Sequence, residues 1–200
     1  MEQADDRHLI ERATAQELLL RGRMLQVVRD DVDLPDGGRA TREYVVHPGA
    51  VVVVPLLDDG RLVLERQYRH PLGRVIVEFP AGKIDPGEDR LACARRELFE
   101  ETGYRAREWA RAGLLHPVPA YSTELIELWF ARGLAAGPAR LDPGEFIETF
   151  SATPQQLLDW CRDGRVTDGK TLVAALWLQN LATGAWSLQW QPDPGDPAAG

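Results

Sequence analysis

Apolar positions along this chain alternate between periods of two and of about 3.6, and the changes are marked by turn residues. Met24–Arg29 and Thr41–Val46 are short β-type runs separated by Asp36-Gly37-Gly38, which predicts a hairpin. Ala50–Leu57 is continuously apolar with Pro55 near its end and predicts a buried strand. After the turn Asp58-Asp59-Gly60, Arg61–Tyr68 alternates, setting Leu62, Leu64 and Arg66 opposite Val63, Glu65 and Gln67. Val75–Phe79 predicts another strand, stopped by Pro80. A helical period then covers Asp89–Thr102, with Leu91, Ala94, Leu98 and Thr102 inward, Cys93 on the polar side and Gly103 as the C-terminal cap. Trp109–Leu115 and Thr123–Ala131 predict strands. A helix opens at Pro154 behind Thr153 as N-cap, and Asp168–Ala182 predicts a strongly apolar helix.

The remaining stretches carry weaker patterns. Arg7–Arg23 is charged and mixed, with Leu18-Leu19-Leu20 its main apolar cluster. The proline- and glycine-rich end, 191–200, predicts an irregular tail. The order of elements gives an α/β fold, a mixed sheet with helices on either side, preceded by a small N-terminal antiparallel sheet. The expected boundaries are 1–46 for the N-terminal hairpin, 47–190 for the main domain and 191–200 for the tail. Too few apolar residues precede His47 to form a core unaided.

Composition narrows the classes of function. A hydrophobic content of 44% over 200 residues supports a folded core. A formal charge of −8 argues against a general nucleic-acid or anionic-membrane surface, so neither partner is expected. An anionic substrate stays open, because a bound cation reverses the local field. The acidic start Met1–Asp6 has no apolar run of the export type, and two cysteines make no disulfide framework, so a cytoplasmic location is expected.

Chemistry concentrates at Gly82–Tyr104. Residues four apart lie about 40° apart around a helix, so Glu97 and Glu101 are neighbours, with Glu100 adjoining. Carboxylates this close need a neutralising charge, and Mg²⁺ favours carboxylate oxygens together with phosphate. Arg96 stands four residues before Glu100 and is placed to pair with it. Taken alone, the charge run also fits a solvated helix face with ordinary ion pairs.

The spacing G-x5-E-x7-R-E-L-x-E-E-x-G, from Gly82 to Gly103, resembles the Nudix box, with Tyr104 where an aliphatic residue is usual. That resemblance implies an α/β/α sandwich and hydrolysis of a diphosphate with Mg²⁺ or Mn²⁺. It implies metal ligands at Glu97, Glu101 and Glu100, with the backbone carbonyl of Ala81 as a further donor. The flanks resemble the ADP-ribose pyrophosphatase branch. They do so in Gln67-Tyr68-Arg69, in Glu78-Phe79-Pro80-Ala81-Gly82, and in Pro119, sixteen residues past Gly103. Val118-Pro119-Ala120 departs from the branch's more usual Ser-Pro-Gly.

The branch implies cleavage of ADP-ribose to AMP and ribose 5-phosphate. It also implies exchange of the N-terminal segment between the subunits of a homodimer, with Arg42, Arg69, Glu78 and Pro119 meeting the substrate. A glutamate from the loop Asp142–Glu148 is expected to act as base, Glu145 ahead of Glu148, because loops carry closing residues more often than strands do. Another nucleoside diphosphate sugar such as GDP-mannose, a dinucleotide, or a nucleotide-sensing role without catalysis are the alternatives.

Overall fold

The computed structural model describes residues 5–195. Of the expected tail, 196–200 lie outside the described residues, as do 1–4 of the acidic start. The chain divides into two compact units. The first runs to Pro48 and takes in Val118–Leu125, and the second holds Gly49–Pro117 and the chain from Ile126 onward.

In the first unit, β1 (Arg12–Arg21), β2 (Gln26–Asp33) and β3 (Arg39–Val46) form an antiparallel sheet in that order. The sequence pattern assigned no strand to Arg12–Arg21. All ten of its residues are exposed, so no buried face imposes a period of two. Cross-strand polar pairs hold it: Glu17 lies opposite Arg29 and accepts from its guanidinium, and Gln16 donates to Asp30 at 2.8 Å. The 118–125 segment joins β3 through Val45 N–H donating to Tyr121 O (2.9 Å) and Thr123 N–H donating to Val45 O (3.0 Å). Those bonds draw Thr123 into this unit, so the strand expected from Thr123 begins only at Ile126.

The second unit is built on a mixed sheet. Its strands are β4 (Ala50–Leu56), β5 (Leu62–Arg69), β6 (Arg74–Glu78), β7 (Ala81–Lys83), β8 (Glu108–Leu115), β9 (Ile126–Arg132), β10 (Ile147–Ala152) and β11 (Gln191–Pro192). The order is β10-β5-β4-β9-β8-β11, with β6 on β5 and β7 on β4. β4 and β9 run parallel, Ala50 opposite Ile126. Gln191–Pro192 was expected to be irregular, but it pairs antiparallel with Trp109 and Glu108 at the free edge of β8.

The buried run of β4 divides its side chains between two cores. Val52 and Val54 face one with Leu64, Phe130 and Ala174, while Val51 and Val53 face the other with Cys93, Leu98 and Trp109. Helix α1 (Arg90–Thr102) covers the second core, and α2 (Pro154–Arg162) and α3 (Gly169–Ala182) the first, which is the expected α/β/α sandwich. Asp89 caps α1 by accepting from Leu91 and Ala92 N–H, and Gly103 ends it at φ 75°. Thr153 and Gln156 form a capping box on α2, and Asp168 accepts from Thr171 N–H to cap α3.

Cys93 corrects a detail of the helix reading. It is fully buried rather than on the polar side. It lies one turn before Glu97 and two before Glu101, and all three are buried on the same helix. The glutamate-bearing stripe therefore turns inward.

Candidate active site

Four buried carboxylates gather where β5, β6 and α1 meet: Glu65, Glu78, Glu97 and Glu101. Glu65 and Glu78 are fully buried and face each other across the β5–β6 pair. Glu78 is well compensated. Arg69 Nε donates to it at 2.8 Å, and the Lys170 ammonium, at the start of α3, donates to it and to Asp168 (3.0 Å). Burial disfavours the Lys170 charge, but Asp168 and Glu78 outweigh that and raise its pKa.

Glu65 has no comparable cation. With the cluster ionised, neither of its oxygens has a hydrogen-bond donor, and a proton shared with Glu101 is the bond open to it. Burial, then the Glu78 charge, pushes the Glu65 pKa up, while burial and the charges of Glu65 and Glu97 push Glu101 up. Glu97 rises to about 7, mainly from burial, against the opposing pull of Arg96.

Loop contacts fix the helix glutamates. Ala81 N–H donates to Glu101 Oε2 at 2.9 Å. A Cβ on Gly82 would stand 1.9 Å from the Glu97 carboxylate, so only glycine lets the loop pass this close. Arg96 donates to Glu97 (2.7 Å), Glu100 (3.0 Å), the Lys83 carbonyl (3.1 Å) and both oxygens of Glu88 (2.8 Å each). Glu88 is thereby held down to about 2. Arg96 and Glu88 brace the loop against the helix, and the expected Arg96–Glu100 pair is present.

The two loop carboxylates separate clearly. Glu145 accepts from Asp142 N–H (3.3 Å), and its charge helps to raise both Glu97 and Glu101. Glu148 lies on β10 opposite Arg66 and pairs with it at 3.1 Å, its side chain 67% exposed. Arg42 and Pro119 belong to the first unit. Arg42 lies on β3 and donates to Glu11 (Nε to Oε2, 2.9 Å). Two residues of the cluster were not singled out from the sequence, Glu65 and Lys170. Their signals were a carboxylate directly after the apolar run Leu62-Val63-Leu64 and a lysine opening an apolar helix.

The donor set fits a hard divalent cation. It is all oxygen and buried, with more negative charge than Arg69, Arg96 and Lys170 offset. Among the described residues no three acidic, histidine or cysteine side chains already form a cage. Glu97 accepts from Arg96 and Glu101 from the Ala81 N–H.

Comparison with known proteins identifies the family. A NUDIX domain model matches residues 46–174. The chain is 38% identical to a methanol dehydrogenase activator of Bacillus methanolicus, over 84% of this chain and 92% of that protein. It is 36% identical to an ADP-ribose pyrophosphatase of Bacillus subtilis, over 86% of this chain and 94% of that protein. A crystal structure of an ADP compounds hydrolase superposes with a TM-score of 0.78 at 25% identity, covering 88% of this chain and 95% of that one. With the model spanning more than half of its length and two relatives aligned over nearly all of theirs, this chain belongs to the Nudix family.

Proposed function

We propose that the protein is a Mg²⁺-dependent Nudix pyrophosphohydrolase that splits ADP-ribose into AMP and ribose 5-phosphate. The observation that carries this reading is the likeness to an ADP-ribose pyrophosphatase over 86% of the chain, combined with the buried, under-compensated carboxylates of α1. Glu97, Glu101 and Glu100, with the carbonyl of Ala81, would hold the cation. When bound, Mg²⁺ (or Mn²⁺) neutralises the diphosphate oxygens and stabilises the leaving phosphate. Glu145 takes one proton from the attacking water as its oxygen bonds to phosphorus and the bridging P–O bond breaks. Its loop position and its electrostatic influence on Glu97 and Glu101 favour it over Glu148, which is tied to Arg66. Arg69, held by Glu78, orients the substrate.

A homodimer fits the exposed Leu18, Leu19 and Leu20 of β1, which a second copy would cover. Free Cys93 and Cys161 suit a reducing cytoplasm, and no helix among the described residues is long and apolar enough to cross a membrane. Neither nucleic acid nor membrane is proposed as a partner. Chromatographic product analysis over ADP-ribose, GDP-mannose and diadenosine diphosphate, with Mg²⁺ and with excess chelator, tests the assignment. AMP and ribose 5-phosphate formed fastest from ADP-ribose, and only with metal, is the expected result. Faster turnover of GDP-mannose or the dinucleotide, or full activity in chelator, refutes it.

A further inference from the structure

On the opposite side of α1 the second unit contains a cavity of about 260 Å³, lined by Ala92, Arg95, Phe99, Arg105, Trp109 and Asp193 among others. Arg95 and Phe99 lie about 160° around the helix from the Glu97–Glu101 stripe, so this cavity is distinct from the carboxylate site. We propose that it is a binding site for a phosphate-class anion, at present occupied by the chain's own Asp193 carboxylate.

Two poorly matched buried polar atoms and one cation without a carboxylate carry the argument. Asp193 is held by Arg95, with Nε 2.7 Å from Oδ1 and Nη2 donating to Oδ2 at 3.1 Å. Even so, Asp193 Oδ1 is buried without a well-formed hydrogen bond. Trp109 is 1% exposed, and its indole N–H has no acceptor. Arg105 lies with its guanidinium carbon 4.0 Å from the centre of the Phe99 ring and has no carboxylate partner among the described residues. A buried donor without an acceptor is costly, so a wall with one unmatched buried donor and one poorly matched acceptor, beside a second, solvent-facing guanidinium, suits Asp193 badly.

A tetrahedral dianion answers these demands together. It offers more acceptor oxygens than a carboxylate, and its double charge matches Arg95 and Arg105, whereas Asp193 supplies one charge. Arg96 also lines the cavity, but it is committed to Glu88, Glu97 and Glu100. A local excess of positive charge in a chain of net charge −8 points the same way. Asp193 follows β11 directly, and its N–H donates to Arg107 O at 2.8 Å, so an entering anion displaces a tethered competitor.

The test uses the full chain freed of divalent metal by chelator, titrated with inorganic phosphate in a calorimeter at constant ionic strength. One phosphate per chain is expected. Asp193→Asn should tighten binding at least fivefold by removing the competitor. Arg105→Gln, at an exposed position, should weaken it at least fivefold in that background without lowering the melting temperature. Ribose 5-phosphate as a second probe identifies the source: equal affinity supports recognition of free phosphate, and tenfold tighter binding supports a phosphate monoester. No binding to the metal-free protein, or wild-type affinity in both variants, overturns the proposal.

Discussion

Glu97→Gln should make the metal-free protein more stable while removing its activity. The folded state raises the Glu97 pKa from 4.5 to about 7. At about 1.4 kcal/mol for each tenfold change in proton affinity, ionising Glu97 inside the fold costs on the order of 3 kcal/mol. The sign follows from proton counts. Below about pH 4.5 both states hold the proton and there is no penalty. Between pH 4.5 and 7 the unfolded chain releases it first, so stability falls as pH rises. Above pH 7 the full cost is present.

Glutamine keeps an oxygen for Arg96 and carries no charge, so the variant escapes the penalty. Thermal unfolding in chelator at pH 8 should show a gain of about 6–12 °C, taking 2–4 °C per kcal/mol for a chain of this size. At pH 5.5 the advantage should shrink to about 1 kcal/mol. With saturating Mg²⁺ the order should invert, because the wild type alone gains the full metal-binding energy. An unchanged or lower melting temperature at pH 8, or the same gain at both pH values, would refute the reasoning.

Glu145→Gln should lower kcat about 10²- to 10⁴-fold with little change in KM, and Glu148→Gln should be mild; steady-state kinetics giving the reverse ranking would move the base to Glu148. Gly82→Ala forces a methyl group against the Glu97 carboxylate and should cost about 1–3 kcal/mol in thermal melts, together with a loss of metal affinity in titration. Light scattering at micromolar concentration should return the mass of two chains, and a monomer would rule out the exchanged N-terminal segment.

The sequence made the helix, its caps and its glutamates readable because each leaves a local signature: an N-cap, a 3.6 period, fixed spacing. The buried strand β4 was equally plain, since an unbroken apolar run leaves no exposed face to assign. Strand β1 was not readable, because cross-strand polar contacts with β2, such as Glu17–Arg29 and Gln16–Asp30, rather than buried side chains hold it. Cys93 was misplaced because the stripe that looks polar in sequence faces the sheet, where its charges have chemical work to do. Glu65 and Lys170 come to the site from a strand and a helix far apart in sequence, and only folding brings them to Glu78 and Glu101. The cavity opposite them depends on Asp193 meeting Arg95 across a separation of 98 positions, which no local pattern encodes.

The inclusion of Val118–Leu125 in the first unit has a consequence for how the chain matures during synthesis. The β2–β3 hairpin can form as soon as it leaves the ribosome, because its partners are adjacent. The latch on β3 cannot, since His47 N–H waits for Thr123 Oγ1, 76 positions later (2.8 Å). Closing so long a loop is entropically costly and slow. The nascent first unit therefore stays incomplete until much of the second has emerged, and β1 with its exposed leucines is at risk of non-native association during that interval. A gene fragment cut near residue 47 would divide one unit and leave the other with a stranded loop, so the two are best regarded as one unit of inheritance.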